Sequence, residues 1–120
     1  MVKKIKISNY SCYDNYTVMN IGSNSSDIIS TMVRLAGRLC ERFASDIIYY
    51  ANAFTNAIKN GENYDCYLFF RENGVTALSS KNIYAIEHIS YIQVWHLIYD
   101  AKTEMQKFIR VSVDFKEVLF

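Results

Sequence analysis

Two histidines, His88 and His96, have side chains that could support acid–base or metal chemistry. Cys66, Asp65 and Glu87 have the side chains to complete a Cys–His pair or a metal site with them. The spacing gives no support, because the chain contains no Cys-x-x-Cys, His-x-His or His-Glu-x-x-His pattern. The sequence therefore predicts ordinary structural roles for both histidines, no catalytic residue, no bound metal and no cofactor.

A second group of residues could bind a partner rather than react. Arg34, Arg38 and Arg42 are four residues apart, so on one helix they would form a ridge. Guanidinium groups in a row can grip phosphates or a carboxylate-rich partner surface, although a solvated helix face is the alternative. Like charges at this spacing cost a helix roughly 0.2–0.5 kcal/mol per pair, which favours a use for them. Ile48 and Tyr49 lie at the edges of the same face and would extend the contact.

Three tyrosines near the N-terminus form another candidate binding surface. Tyr10, Tyr13 and Tyr16 stand among Ser, Asn and Asp residues. Tyrosine rings surrounded by small polar side chains are typical of adaptable binding surfaces, because they offer a large contact area at low conformational cost. The alternative is an ordinary hairpin loop with partly buried rings.

The composition of the chain limits its domain number, its class of partner and its location. A chain of 120 residues, 51% hydrophobic and 21% charged, predicts one globular domain over residues 1–120. The net charge of +1 favours no bulk partner of one sign. No apolar run approaches the ~18 residues of a membrane span, and the N-terminus lacks a signal-peptide core. The three cysteines include no close pair, so we expect free thiols, a reducing compartment and a cytoplasmic location.

The arginines belong to residues 26–61, where apolar side chains recur with a helical period. The phase holds from end to end, with Asp46 as the main misfit, and Gly61 is a typical helix stop. One helix of this length would span about 50 Å. The tetrapeptide Ser-Asp-Ile-Ile occurs at 26–29 and again at 45–48, so a split near Ala44 is the competing interpretation. The unbroken phase, with no glycine or proline at 43–46, favours a single helix.

Alternating patterns predict strands on both sides of this helix. Residues 2–8 and 16–21 would form a first hairpin, and strands would follow at 64–71, 75–79, 83–87, 90–99 and 106–115, before a tail at 116–120. Asn73-Gly74 predicts a tight hairpin turn, and Trp95 is expected in the core. Short connections favour antiparallel pairing. The predicted fold is α+β with two layers, one long helix on a mostly antiparallel sheet of about five to seven strands, in the order β-β-α-β-β-(β)-β-β.

The preferred hypothesis is a small non-enzymatic interaction protein that binds and occludes a macromolecular partner, a protein that is acidic or carries nucleic acid. The absence of proline and the presence of ten tyrosines, with many Ile, Asn and Lys residues, indicate an AT-rich genome. This origin suggests a phage or mobile-element inhibitor of a defence system, or a toxin-immunity protein. The alternative is a nucleotide-binding module with a pocket between helix and sheet. A third hypothesis is an enzyme that uses His88 or His96. A homodimer is compatible with all three.

Overall fold

The computed structural model describes the backbone of residues 2–6, 17–19, 21–82, 89–111 and 114–118, and the side chains of residues 21–82 and 89–111. These parts contain three helices and seven strands. In chain order they are β1 (Val2–Lys6), β2 (Thr17–Met19), α1 (Ser25–Ala36), α2 (Arg38–Arg42), α3 (Ala44–Asn60), β3 (Tyr64–Arg71), β4 (Gly74–Ser79), β5 (Gln93–Asp100), β6 (Met105–Val111) and β7 (Asp114–Val118). The predicted α+β class is confirmed.

All strand pairs are antiparallel. The main sheet has the order β2-β6-β5-β3-β4, and its four long strands, β3 to β6, are extended at one edge by the three residues of β2. The β3–β4 hairpin turns where the Asn73-Gly74 pattern predicted it, with Arg71 opposite Gly74. β1 and β7 form a separate two-stranded sheet. The predicted sheet of five to seven strands is therefore not matched exactly, because the described strands divide into two sheets. The strand expected at 83–87 lies outside the described residues.

The predicted hairpin between the first two strands is wrong. β1 pairs with β7, and β2 pairs with β6, so each N-terminal strand finds its partner near the C-terminus. Residues 116–118, which were expected in a tail, belong to β7. A local pattern of alternating residues predicts that a strand forms but not which strand it pairs with. The proximity of the two segments in sequence favoured a pairing that the fold does not use.

The predicted single helix is also wrong, because the chain breaks twice between residues 26 and 61. Gly37 separates α1 from α2 with φ 64° and ψ −133°, a backbone conformation that belongs to glycine. Phe43 separates α2 from α3 with φ −119° and ψ 46°. The competing interpretation, a split near Ala44, is therefore correct for one of the two breaks. Asn24 caps α1, since its side chain accepts a hydrogen bond from the Asp27 amide at 2.9 Å.

The two breaks fold the helical segment into a hairpin. The Ser25 hydroxyl, at the start of α1, donates a hydrogen bond to the Asn52 side chain in α3 at 2.6 Å. Since α2 joins the other ends of these helices, α1 and α3 run antiparallel. Gly61 ends α3 in the left-handed conformation, with φ 64° and ψ 34°, as the sequence predicted.

The helices cover one face of the sheet. Trp95 is fully buried there, as expected, and stacks on Phe108 with ring centroids 4.4 Å apart. Helix side chains that pack on this layer include Ile28, Met32 and Phe54, which have no exposed surface or almost none. The opposite face of the sheet is buried as well, and its apolar cluster comprises Tyr67, Phe69, Val94, Ile109 and Val111, with Leu78, Ile89, Tyr91 and Ile98 at its border.

Candidate functional site

The three arginines predicted to bind a partner are all exposed, but they do not form one helical ridge. Arg34 lies in the last turn of α1, whereas Arg38 and Arg42 are the first and last residues of α2. The turn at Gly37 interrupts the spacing that would have placed all three in one row. Arg38 and Arg42 remain four residues apart on one helix, so their guanidinium groups share a face.

The junction of α2 and α3 is a distinct surface feature, and we refer to Arg38, Arg42, Ile48 and Tyr49 together as the helical corner. The Arg42 guanidinium lies over the Phe43 ring, 5.2 Å from its centroid, in a cation–π contact. A shallow depression of about 310 Å³ runs along residues 41–46 beside it. This contact holds a charged group at the corner of the helical hairpin, where a partner can reach it.

Two large apolar side chains are displayed next to this junction. The side chain of Tyr49 is 68% exposed and that of Ile48 is 48% exposed, as the sequence predicted for the outer face. The Tyr49 ring rests edge-on against Tyr50 at 5.2 Å, and the Tyr50 hydroxyl donates to the Val75 carbonyl at 3.4 Å. Burial raises the pKa of Tyr50 above its ordinary value. Contacts down to β4 therefore support the exposed ring.

Asp46, the misfit of the helical pattern, holds the helical corner to the sheet. Its carboxylate accepts a hydrogen bond from the Val75 amide of β4 at 3.1 Å. Together with Tyr50, it satisfies both backbone groups of Val75 on the outer edge of the sheet, where none of the described strands lies beside β4. Side chains of α3 thus fix the edge strand and the helical corner to each other.

Tyr10, Tyr13 and Tyr16, the other predicted contact residues, lie outside the described residues. The same is true of Cys12, Glu87 and His88. Their predicted roles stay predictions.

The sequence analysis listed Asp65 as a possible partner of His96 but found no spacing to support the pair. In the structure the two side chains are in contact. The His96 Nε2 atom is hydrogen-bonded to the Asp65 carboxylate, and Tyr67 stacks on the imidazole with ring centroids 3.9 Å apart. His96 is 1% exposed and Asp65 is 46% exposed. Burial lowers the pKa of His96, although the hydrogen bond that the imidazole donates to Asp65 and the charge of that carboxylate act in the opposite direction. A neutral imidazole that donates its Nε2 proton to the carboxylate fits this environment.

The two partners of this pair differ in their access to solvent. The Tyr67 ring and the surrounding cluster enclose His96, whereas Asp65 faces solvent. Cys66 lies opposite Leu97 in the β3–β5 register, so its side chain and that of His96 project from opposite faces of the sheet. The hypothetical Cys66–His96 pair is therefore not formed. Among the described residues, no group of three His, Cys, Asp or Glu side chains could hold a metal ion.

The described thiols differ in their surroundings. Cys40 is 2% exposed, and its thiol donates to the Met32 carbonyl at 3.3 Å. Burial, with a smaller effect of Glu41, raises the pKa of Cys40 to about 12, so the reactive thiolate is scarce at neutral pH. Cys66 is half-buried, and desolvation raises its pKa as well. Neither thiol has the lowered pKa of a nucleophile.

Comparison with protein-family models, curated proteins and solved structures finds no match for this chain. None of the described helices has the length and apolar character needed to cross a lipid bilayer.

Proposed function

We propose that this protein is a non-enzymatic interaction protein that binds a protein partner through the helical corner and occludes the partner's functional surface. The observation that carries this proposal is the adjacent exposure of Tyr49 and Ile48 on α3, with the Tyr49 ring supported by Tyr50. Tyrosine and arginine are among the residues most enriched at the energetic centres of protein interfaces. Here the exposed arginines of α2 precede the α2–α3 junction and the exposed tyrosine of α3 follows it.

The apolar surface that Ile48 and Tyr49 would bury predicts an interface of ordinary strength. Burying a whole Ile side chain contributes about 1.5–3 kcal/mol, and Ile48 is already half covered, so its share would be about 1 kcal/mol. Tyr49 would contribute about 2 kcal/mol if it fills a pocket on the partner. Because the ring already rests on Tyr50, little side-chain freedom would be lost on binding.

The charges near the helical corner and the net charge of the chain favour an acidic protein, rather than a nucleic acid, as the partner. Arg34, Arg38 and Arg42 are exposed near apolar side chains, and Glu41 lies between the last two, which weakens the positive potential. A nucleic-acid surface would require a basic patch on a more basic chain, whereas the net charge is +1. A partner with carboxylates around an apolar pocket complements both parts of the helical corner.

A protein that acts by covering its partner needs a firm surface and no reactive centre. This mode of action suits an inhibitor of a defence protein or an immunity protein for a toxin, and the AT-rich composition favours a phage or mobile element as its source. The nucleotide-binding alternative stays a prediction. At the interface between helices and sheet, the described side chains pack as the core, and the open groove along residues 63–66 and 79–81 lies at the border of that core, against which Tyr64 and Cys66 pack.

The test compares surface variants in a quantitative pull-down from a bacterial lysate. Tyr49→Ala and the double variant Arg38→Glu/Arg42→Glu should each reduce recovery of one stoichiometric partner by at least about tenfold, which corresponds to about 1.4 kcal/mol. Asn56→Ala is the matched control, because Asn56 is also exposed on α3. The proposal fails if no partner is recovered at stoichiometric amount, or if the partner survives the Tyr49 and arginine changes as well as it survives Asn56→Ala.

A further inference from the structure

The end of the β3–β4 hairpin carries an arginine on the sheet face opposite the helices. Arg71 is the last residue of β3, and by strand alternation its side chain shares a face with Phe69, which belongs to the apolar cluster of that face. The cross-strand neighbour of Arg71 is Gly74, which has no side chain. The Nη1 atom of Arg71 donates a hydrogen bond to the Thr76 hydroxyl at 3.3 Å. This contact holds the guanidinium group against β4.

One donor of this guanidinium group is buried without an acceptor. The Nε atom of Arg71 is buried, and none of the described residues accepts a hydrogen bond from it. Within the described parts of the chain, Arg71 also forms no ion pair with a carboxylate. A buried charged donor without an acceptor is unfavourable and rare in native structures. Because Thr76 accepts from Nη1, the edge formed by Nε and Nη2 is the one that can bind an oxyanion with two parallel hydrogen bonds.

A small depression of about 210 Å³ lies beside this arginine, and it is lined by Arg71, Glu72, Asn73 and Ser90. The Asn73 amide and the Ser90 hydroxyl can both donate hydrogen bonds to an anion. The segment after Ser90 is fixed to the end of β3, since the Ile92 amide donates to the Phe70 carbonyl at 2.7 Å. The volume is below the range of about 300–1,000 Å³ that is typical of sites for drug-sized ligands. A ligand of only a few heavy atoms therefore fits.

The charges around the depression favour one kind of anion. Arg71 supplies one positive charge, and Glu72, which is exposed, supplies one negative charge. Glu72 would repel a dianion such as phosphate more strongly than a monoanion. A planar carboxylate also matches the two parallel donors on one edge of a guanidinium group. The chemistry of these residues thus favours a monocarboxylate over phosphate.

We propose that Arg71 and the depression beside it form a binding site for the carboxylate group of a small organic acid or of a peptide chain end. The two carboxylate oxygens would accept hydrogen bonds from Nε and Nη2 of Arg71, and Ser90 and Asn73 would donate to the same group. The Arg71 side chain lies on the sheet face opposite the helices, so this site does not depend on the partner proposed for the helical corner.

The test is an NMR titration of the full chain with sodium propionate at constant ionic strength. Saturable shifts are expected at millimolar ligand for the Nε–H signal of Arg71 and for the backbone amides of residues 71–73 and 90. Propionamide, which has the same shape but no charge, should bind at least about tenfold more weakly, because it cannot accept two charge-assisted hydrogen bonds. Phosphate should also bind more weakly than propionate. These comparisons use the unaltered protein, so they do not depend on how a variant folds.

N-acetylglycine, a small model of a peptide chain end, separates the two sources of the carboxylate. Tighter binding than that of propionate would assign the site to chain ends, and weaker binding would assign it to free acids. Either result requires that the Nε–H signal of Arg71 responds to the carboxylate.

Variants of one residue assign the group on the protein. Arg71→Gln removes the charge, and Arg71→Lys keeps the charge but lacks the paired donors, so each should weaken propionate binding at least about tenfold. Lys102→Gln is the matched control, because it removes an exposed cation that does not line the depression, and it should leave binding unchanged. The proposal is overturned if propionate gives no saturable shifts, if the shifts map elsewhere, or if propionamide or phosphate binds as well as propionate. Equal binding by wild type and Arg71→Lys would also overturn it.

Discussion

Replacing Gly37 with alanine tests the arrangement of the helices directly, because the two possible folds predict opposite signs. Gly37 has φ 64° and ψ −133°, and an added Cβ would meet nothing within 4 Å. The change therefore carries no packing penalty, and only the backbone conformation opposes it. Holding an L-residue in such a conformation costs about 1–3 kcal/mol. This φ/ψ combination is essentially confined to glycine, so the upper half of that range, about 2–3 kcal/mol, applies. The reduced freedom of the unfolded chain offsets about 0.4–1 kcal/mol, which leaves a net loss of at least about 1 kcal/mol.

A continuous helix over residues 26–61 would give the reverse result. In a helix interior, alanine is more favourable than glycine by about 1 kcal/mol, so Gly37→Ala would stabilise the protein. Gly61→Ala is the matched control. Gly61 also has open space where a Cβ would lie and a positive φ of 64°, and it ends the helical segment in either arrangement. Its replacement should destabilise the protein in both cases.

Urea unfolding followed by tryptophan fluorescence provides the measurement. Trp95 is the only tryptophan, and it is fully buried against Phe108, so its emission reports global unfolding. At an unchanged m-value, Gly37→Ala should lower the free energy of unfolding by at least about 1 kcal/mol. A Gly37→Ala protein as stable as wild type, or more stable, would refute the helical hairpin while Gly61→Ala still showed its loss.

Three further predictions concern single side chains. Asp46→Ala should lower the free energy of unfolding by about 1–2 kcal/mol in urea titrations, because the Val75 amide loses its acceptor, whereas Asp46→Asn, which keeps an acceptor oxygen, should lose less. His96→Gln should flatten the pH dependence of stability. Burial holds the pKa of His96 below its unfolded value, so the unfolded chain binds a proton first, and wild type loses stability as pH falls below about 6.5. Cys40, whose pKa is raised to about 12, should resist iodoacetamide at pH 8 in the folded protein and react more slowly than Cys66, as followed by peptide mass spectrometry.

Each of these has a result that would contradict it. Equal stability of Asp46→Ala and wild type would show that the hydrogen bond to Val75 adds nothing. If wild type and His96→Gln lose stability in parallel between pH 7.5 and 5.5, the buried imidazole is not the titrating group. Rapid alkylation of Cys40 without denaturant would mean that its thiol is accessible, against its 2% exposure.

The sequence predicted the class of fold but not the path of the helical segment. Apolar side chains kept one phase across Gly37 and Phe43 because each piece of the hairpin also turns one face to the core. A continuous phase is therefore evidence for a shared buried side, and it does not exclude a turn. The sign of a break was present in Gly37 itself, since a glycine inside a helix costs about 1 kcal/mol without a reason for it.

Local sequence patterns could not predict contacts between residues that are far apart in the chain. Asp65 meets His96 because β3 pairs with β5, with Tyr67 opposite His96 in the register. Between these strands the chain passes through β4, so no local spacing marks the pair. The partners of β1 and β2 were missed for the same reason, since both strands pair with segments near the C-terminus.

Asp46 shows how a residue that breaks a local rule can indicate a requirement of the whole fold. An acidic side chain near the apolar arc of a helix is unfavourable until it finds a donor, and the donor here is an edge-strand amide that helical periodicity cannot reveal. That hydrogen bond ties α3 to β4 one turn before Tyr50, and Tyr50 supports the exposed ring of Tyr49. The residue that fits the amphipathic pattern least is thus the one that fixes the helical corner in place. A firm corner is what the proposed partner-binding role requires, because a preorganised surface loses less freedom on binding.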